Sequence, residues 1–366
     1  MIRGDGVRQL AKEHILDLKP YVPGKPVDEV KREYNLSEII KLASNENPLG
    51  TSKYVREKLK NEDMNFNVYP DGACYELRGK LAAEYDVAEE NFIFGDGTDE
   101  VLEMLFIAYI QKGDEVIFGT PSFVEYGRYA TISGGTKVEV GLTDDYRYDL
   151  ENMKSKINEK TKMVIICNPN NPTGTIVDTE ELDRFIQGIS DDIIVVVDEA
   201  YYEYAAPYEN YPDAMDYIKK GYKNVVSLRT FSKAYGLAGL RVGFGVADKE
   251  IIEILEKVRL PFNVTSISQK AAIYALEDKE HIQESVKVNE EGKEYLYSEL
   301  RELNIEFADT YSNFIYIKVP RSGKEIFEDM MKQGVIIRAM AGNFVRVTIG
   351  TMEENIRFIK TLKGVI

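Results

Sequence analysis

Lys233 and Arg241 lie eight residues apart in the glycine-rich stretch RTFSKAYGLAGLRVG (229–243), in a chain whose formal net charge is −16. An amine that loses its proton near neutral pH is a nucleophile toward carbonyl carbon. A guanidinium nearby binds phosphate or carboxylate by paired hydrogen bonds. Three other stretches carry comparable chemistry. Asp198 ends the apolar run IIVVV (193–197) and opens DEAYYEY, and NPNNPTG (168–174) follows MVIIC. FGDGTDE (94–100) is a glycine-rich turn leading into an apolar helix. Singly each has an ordinary reading: a solvated loop, a turn, or a helix start capped by Thr98 or Asp99. FGDGTDE lacks the third glycine of a dinucleotide fingerprint, which argues against nicotinamide binding. Asp198 is the sharpest, because a carboxylate at the end of a buried strand requires a cationic or hydrogen-bonding partner.

The order Asn171, Asp198, Tyr201, Thr230, Ser232, Lys233, Arg241 matches what pyridoxal phosphate requires. That cofactor needs a lysine for its aldehyde and a carboxylate to keep its ring nitrogen protonated. It also needs hydrogen-bond donors for its phenolic oxygen and a cup for its phosphate. Lys233 would be the amine and proton carrier, its free form favoured by burial and by nearby Arg241. Arg241, Thr230, Ser232 and the Gly97–Thr98–Asp99 turn would hold the phosphate, the turn through its N–H groups at a helix start. Gly236 and Gly239 read as positions of close backbone approach or positive φ.

The elements that must position these residues follow from periodicity. EVIF (115–118), KVEV (137–140), MVIIC (163–167), IIVVV, NVVSL (224–228) and VGFGV (242–246) read as strands separated by helical stretches. That alternation predicts βαβ units and a mostly parallel sheet covered on both faces. In such sheets ligands gather at the carboxyl ends of the strands. A short amphipathic helix is predicted over 7–18 and a helix from Thr98–Asp99 through VLEMLFIAYI. A long charged helical region covers 266–302. Strands NFIYIKV, GVIIR and NFVRVTIG mixed with helices then predict a smaller α+β domain. The expected division is an arm (1–30), a large domain (31–265, its first ~15 residues packing with the small domain) and a small domain (266–366).

Taken with these motifs, the chain resembles the fold-type I pyridoxal-phosphate aminotransferases of class I/II. KPYVPGKP, KLASNENPLG, VYPDG, GDGTDEVLEMLF, PSFVEYGRYA, NPNNPTG, VVVDEAYYEY, RTFSKAYGLAGLRVG, NFIYIKV, GVIIR and VRVTIGT carry the resemblance over nearly the whole length. It implies a seven-stranded, mostly parallel sheet in the large domain. It also implies Lys233 as Schiff-base lysine, Asp198 on the ring nitrogen, and Asn171 and Tyr201 on the phenolic oxygen. Phe123 would lie over the ring, by stacking alone, and Tyr69 would reach the cofactor phosphate of a neighbouring subunit in a homodimer. Arg346 would grip the substrate anion with Arg338 and Tyr21 assisting, and Asn47 would join the substrate site. The implied reaction is transamination between L-histidinol phosphate and 2-oxoglutarate. Alternatives are an aromatic amino-acid substrate on the same frame, an amino-acid-phosphate decarboxylase, and a non-catalytic ligand-sensing domain.

Composition narrows the remaining classes. The chain has 366 residues, 44% hydrophobic and 30% charged, enough to bury a large core. The acidic balance opposes broad nucleic-acid binding, so clustered cations mark a local anion pocket. Two cysteines and two histidines, widely scattered, give neither a disulfide framework nor a nitrogen–sulfur metal site. With no apolar span and no signal core, a cytoplasmic location away from membranes is expected.

Overall fold

A computed structural model describes residues 10–16, 18–20 and 27–366. Twelve strands occur among them: β1 (Ile40–Lys41), β2 (Phe92–Gly95), β3 (Glu115–Thr120), β4 (Thr136–Gly141), β5 (Thr161–Cys167), β6 (Ile194–Asp198), β7 (Val225–Thr230), β8 (Gly243–Ala247), β9 (Phe314–Lys318), β10 (Val335–Ile336), β11 (Arg338–Ala339) and β12 (Phe344–Thr348). Seven form one sheet in the order β2-β8-β7-β6-β5-β3-β4. β8 runs antiparallel to both of its neighbours; the other pairs are parallel. Continuous apolar runs build this sheet because helices cover both faces: every residue of β6, β7 and β8 is buried. A second sheet, β11-β12-β9, is antiparallel, and β1 pairs in parallel with β10 far along the chain.

Several expectations change on contact with the structure. Of the helix predicted over 7–18, the described part shows 3-10 geometry, including the turn Glu13–Ile15, and no α-helix. The 266–302 region is two helices, Ser266–Glu277 and Lys279–Glu302, meeting at Asp278. Asp278 leaves helical geometry (φ −93°, ψ 71°), and its carboxylate accepts the N–H of His281, so it caps the second helix. GVIIR divides into β10 and β11 about Ile337. The helix after β2 spans Gly97–Tyr109 with Asp96, not Thr98 or Asp99, at its N-cap. Periodicity did not signal β2 itself, because four residues at a sheet edge leave little pattern to read.

The consequence for function is geometric. Register aligns Cys167, Asp198 and Leu228 at the carboxyl ends of three adjacent strands. The loops after β5, β6 and β7 therefore open on one edge of the sheet, and they carry Asn171, Tyr201 and Lys233.

Candidate active site

Asp198 is the last residue of β6 and is 3% exposed. Its Oδ2 accepts the hydroxyl proton of Tyr126 at 2.7 Å, and its Oδ1 accepts the N–H of Ala200 at 3.2 Å. Burial pushes its carboxyl up to about 6. Among the described residues no cation lies within ion-pair distance of it, so the carboxylate can still take a positively charged donor. Sequence reasoning overlooked Tyr126. Its signal was the spacing Phe123-x-x-Tyr126, which puts both rings on one side of a helical turn; they meet edge to face at 5.5 Å.

The lysine loop leaves β7 at Thr230. Lys233 is half-buried, and its Nζ makes a long 3.5 Å contact with the carbonyl of Ser44. Burial first, then the guanidinium of Arg346, lowers its amine to about 8. Thr230 Oγ1 accepts the N–H of Ser232 at 3.1 Å, and Ser232 Oγ accepts Arg241 Nη1 at 3.3 Å. Each hydroxyl keeps its own proton to donate.

Arg241 lies against the first turn of the Gly97–Tyr109 helix. Its Nε meets Asp96 Oδ1 at 3.0 Å, its Nη2 the Asp96 carbonyl at 3.1 Å and Asp99 Oδ2 at 3.6 Å. Gly97 has φ +71°, and a Cβ there would sit 2.4 Å from Arg241 Nη2, so glycine is required. The first N–H groups of a helix have no intrahelical partner, and here Arg241, bonded to Ser232, lies against that turn, a setting suited to a phosphate. Asp99 can serve an anion only through its backbone, because its carboxylate has the wrong sign; burial raises that carboxyl. Gly236 also proves necessary: its φ is +68°, and a Cβ would lie 2.2 Å from the carbonyl of Gly50. Gly239 meets neither condition, having nothing within 4 Å and no positive φ.

Tyr201 Oη accepts Asn45 Nδ2 at 2.9 Å, which leaves the phenol proton free to donate. Asn171 Oδ1 accepts Arg346 Nη1 at 2.6 Å, which leaves the Asn171 amide N–H groups free. Arg346 Nη2 reaches the carbonyl of Ala43 at 2.7 Å. Arg338 is the direct register partner of Arg346 across β11 and β12. Asn47 departs from expectation. Its Nδ2 donates to the carbonyl of Ala234 at 2.7 Å and to Ser285 Oγ at 2.8 Å, and its Oδ1 accepts the N–H of Leu49 at 3.0 Å. Both Nδ2 protons are thus engaged within the protein, while Oδ1 keeps one lone pair. Tyr69 is 79% exposed and stacks on Phe262 at 4.7 Å. Tyr21 lies outside the described residues.

A second buried set, also unforeseen, lies beneath the site. Glu199 accepts Ser227 Oγ at 2.6 Å and pairs with Arg229 at 3.3 Å, and Arg229 pairs with Asp213 at 2.6 Å. Arg229 packs 3.3 Å over the ring of Tyr202. This network fixes the backbone on either side of Asp198 and Thr230. Among the described residues no cluster of His, Cys, Asp and Glu could hold a metal ion, and no helix is long and apolar enough to cross a membrane.

Comparison with known proteins agrees with this arrangement. The family described as aminotransferase class I and II matches residues 37–362. The chain is 47% identical to a histidinol-phosphate aminotransferase of Moorella thermoacetica over 97% of this chain and 92% of that one. It is 43% identical to histidinol-phosphate aminotransferase 2 of Carboxydothermus hydrogenoformans over 98% and 99%. In fold it follows the crystal structure of histidinol-phosphate aminotransferase from Sinorhizobium meliloti in complex with pyridoxal-5'-phosphate (TM-score 0.88, 23% identity, 98% of each chain). A lysine, a buried strand-end aspartate and a glycine-walled cradle on one sheet edge are thus set in a chain that matches one family along nine-tenths of its length: it belongs to the class I and II aminotransferases.

Proposed function

We propose that this aminotransferase moves the amino group of L-histidinol phosphate to 2-oxoglutarate with pyridoxal phosphate as cofactor. The observation that carries the substrate is the register pair Arg338–Arg346. Like charges directly opposite on a sheet repel, and a bound anion between them relieves that repulsion. The side chain of Arg338 makes no ion pair or hydrogen bond among the described residues, while Arg346 donates to Asn171 Oδ1 and to the Ala43 carbonyl, among other contacts. A guanidinium that acts on the Lys233 amine, with a second as its register partner, suits a phosphate dianion better than a single carboxylate.

The residues fit the cofactor. Pyridoxal phosphate supplies an aldehyde carbon that condenses with amines and a ring that takes up carbanion electrons. In this reading Asp198 accepts the ring-nitrogen proton, Tyr201 and Asn171 donate to the phenolic oxygen, and Phe123 covers the ring. Thr230, Ser232, Arg241 and the N–H groups of Gly97, Thr98 and Asp99 take the phosphate. Lys233, with its amine lowered to about 8, is in part unprotonated at neutral pH and moves the proton at the substrate's Cα. Arg346 and Arg338 orient the donor so that the Cα–H bond faces Lys233.

Residues up to Glu277 act here as the cofactor domain and the remainder as the small domain: the expected boundary at 266 moves, because the Ser266–Glu277 helix shares its core with Leu77, Phe92 and Phe244. A second copy of the chain covers the exposed Phe66, Val68, Tyr69, Leu260 and Phe262, and brings its Tyr69 to the phosphate cradle; an exposed apolar patch of this kind supports such an interface. Two buried free cysteines suit the cytoplasm. The test is a single-turnover absorbance titration of the loaded enzyme with L-histidinol phosphate beside L-phenylalanine. Conversion at far lower concentration of the phosphate ester is expected, and equal efficiency would replace this reading with an aromatic aminotransferase.

A further inference from the structure

Residues 40–51 form a strap between the two sheets. One end is stitched to the smaller part of the chain. Ile40 and Lys41 pair with Val335 and Ile336, Leu42 N donates to the carbonyl of Ile336 at 2.7 Å, and Asn45 N donates to Thr348 Oγ1 at 2.9 Å. The other end lies along the lysine loop, where Thr51 Oγ1 donates to the carbonyl of Gly236 at 2.7 Å. Between these anchors three consecutive residues touch three site residues. The Ala43 carbonyl accepts Arg346, the Ser44 carbonyl accepts Lys233, and the Asn45 amide donates to Tyr201.

Asn47 fixes the strap's height over the loop. It is 7% exposed, and its one Nδ2 group bridges the carbonyl of Ala234, next to Lys233, and the hydroxyl of Ser285 on the Lys279–Glu302 helix. Ser285 is itself held, because its own proton goes to the carbonyl of His281 at 2.7 Å. Its oxygen is therefore a directed acceptor rather than a free rotor.

We infer that Asn47 is a positioning residue for Lys233: through Ala234 and Ser285 it ties the lysine loop and the strap to the Lys279–Glu302 helix, so that the amine stands at a set distance from Ser44 and Arg346. The inference rests on Lys233 being the reacting amine. A substrate ligand and a positioning residue differ in what their loss does. Losing a ligand raises KM, whereas misplacing the reacting amine lowers kcat.

The test compares Asn47→Ala, Ser285→Ala and the double variant. Two readouts are used: steady-state kinetics, and the pH dependence of Lys233 acetylation by trace acetic anhydride in the cofactor-free protein, followed by mass spectrometry. For Asn47→Ala, kcat is expected to fall about tenfold with KM changed less than about twofold, the scale set by a small misplacement of a reacting group. The Lys233 labelling midpoint moves to lower pH, because the Ser44 carbonyl no longer supports the ammonium form. Ser285→Ala reproduces a part of both effects, and the double variant is no worse than Asn47→Ala alone. A raised KM with unchanged kcat and labelling midpoint would restore Asn47 as a substrate ligand and overturn the inference. Additive losses in the double variant would also overturn it. Should Asn47→Ala fail to fold, Ser285→Ala decides: it lies away from the reacting groups, and wild-type kinetics with an unmoved midpoint sink the link. Borohydride fixation of the parent enzyme checks the underlying assignment separately. Cofactor fixed at a residue other than Lys233 removes the catalytic reading, while the labelling midpoint still reports on the strap.

Discussion

The hydroxyl of Tyr126 donates to Oδ2 of Asp198 at 2.7 Å, in a place where neither side chain meets solvent appreciably. Burial raises the Asp198 carboxyl to about 6, and this hydrogen bond works against that rise. Tyr126→Phe removes the donor while keeping the ring that packs on Phe118 and Phe123. The fold should survive, and the carboxylate should become harder to ionise. A hydrogen bond to a charged group contributes about 1.5–3 kcal/mol, so cofactor retention should weaken roughly ten- to a hundredfold. Equilibrium dialysis measures it. The ring-nitrogen signal of 15N-labelled cofactor should move toward the unprotonated position, and wild-type retention with an unmoved signal would remove Tyr126 from the site.

Arg338 offers a second, independent handle. Since it faces Arg346 without an ion-pair partner among the described residues, Arg338→Ala relieves a repulsion in the empty protein and loses a contact in the loaded one. Thermal stability without ligand should rise slightly or stay level. KM for L-histidinol phosphate should rise by about tenfold or more, as expected for a charge-assisted bond to phosphate. Any residual turnover of L-phenylalanine should change little. Equal losses on both substrates would show that Arg338 shapes the sheet rather than reads the phosphate.

Much of this site was legible in the chain, and the reasons are local. Asp198 ends a run of buried β-branched residues, and Lys233 lies three residues beyond the buried strand β7, so pattern puts both at the carboxyl ends of strands or just past them. The cap of the helix that starts at Gly97 was misplaced by two to three residues because Thr98 and Asp99 are good capping types, whereas Asp96 holds that position. The actual start is set instead by a positive φ at Gly97 and close approach of Arg241, which no propensity records. Tyr126 and Asn45 act through partners 72 and 156 residues away, and Asn47 through Ser285 at a separation of 238. Such contacts arise from topology, for Asn45 and Asn47 from the strap anchored by the β1–β10 pairing, and spacing marks at most the residue and never its distant partner. The Asn47 motif was visible in the chain, but the Ala234 carbonyl it serves was not.

The phosphate cradle can be tested apart from the ring. A Cβ on Gly243 would lie 2.7 Å from both the carbonyl carbon of Gly97 and the N of Thr98. Both are backbone atoms, so no side-chain rotation relieves the clash, and the first turn of the Gly97–Tyr109 helix must move. Gly243→Ala should therefore weaken pyridoxal phosphate binding by about tenfold or more, the usual scale for a loss of one to two charge-assisted hydrogen bonds. Binding of pyridoxal, which lacks the phosphate, should change much less. Titration of the cofactor-free variant with both compounds makes the comparison. A parallel loss would place the damage in the ring site or the fold.

The lowered amine of Lys233 makes a prediction about stability whose sign can be worked out. In the cofactor-free protein the group titrates at about 8, against an ordinary 10.5 in an unfolded chain. Between those values the unfolded state binds more protons, so this residue makes stability rise with pH there. Below about 8 both states carry the charge, and the full penalty for half-burying it is present. Above about 10.5 both are neutral, and the penalty is gone. Lys233→Met keeps the length of the side chain without the charge. It should raise the thermal midpoint of the cofactor-free protein at pH 7 by about 2 °C, the shift expected when a large domain gains roughly 1 kcal/mol. The gain should shrink steadily from pH 8 and vanish near pH 10.5. A gain that stays constant across that window would come from packing rather than charge. The amine would then not be held in a proton-poor setting before cofactor arrives.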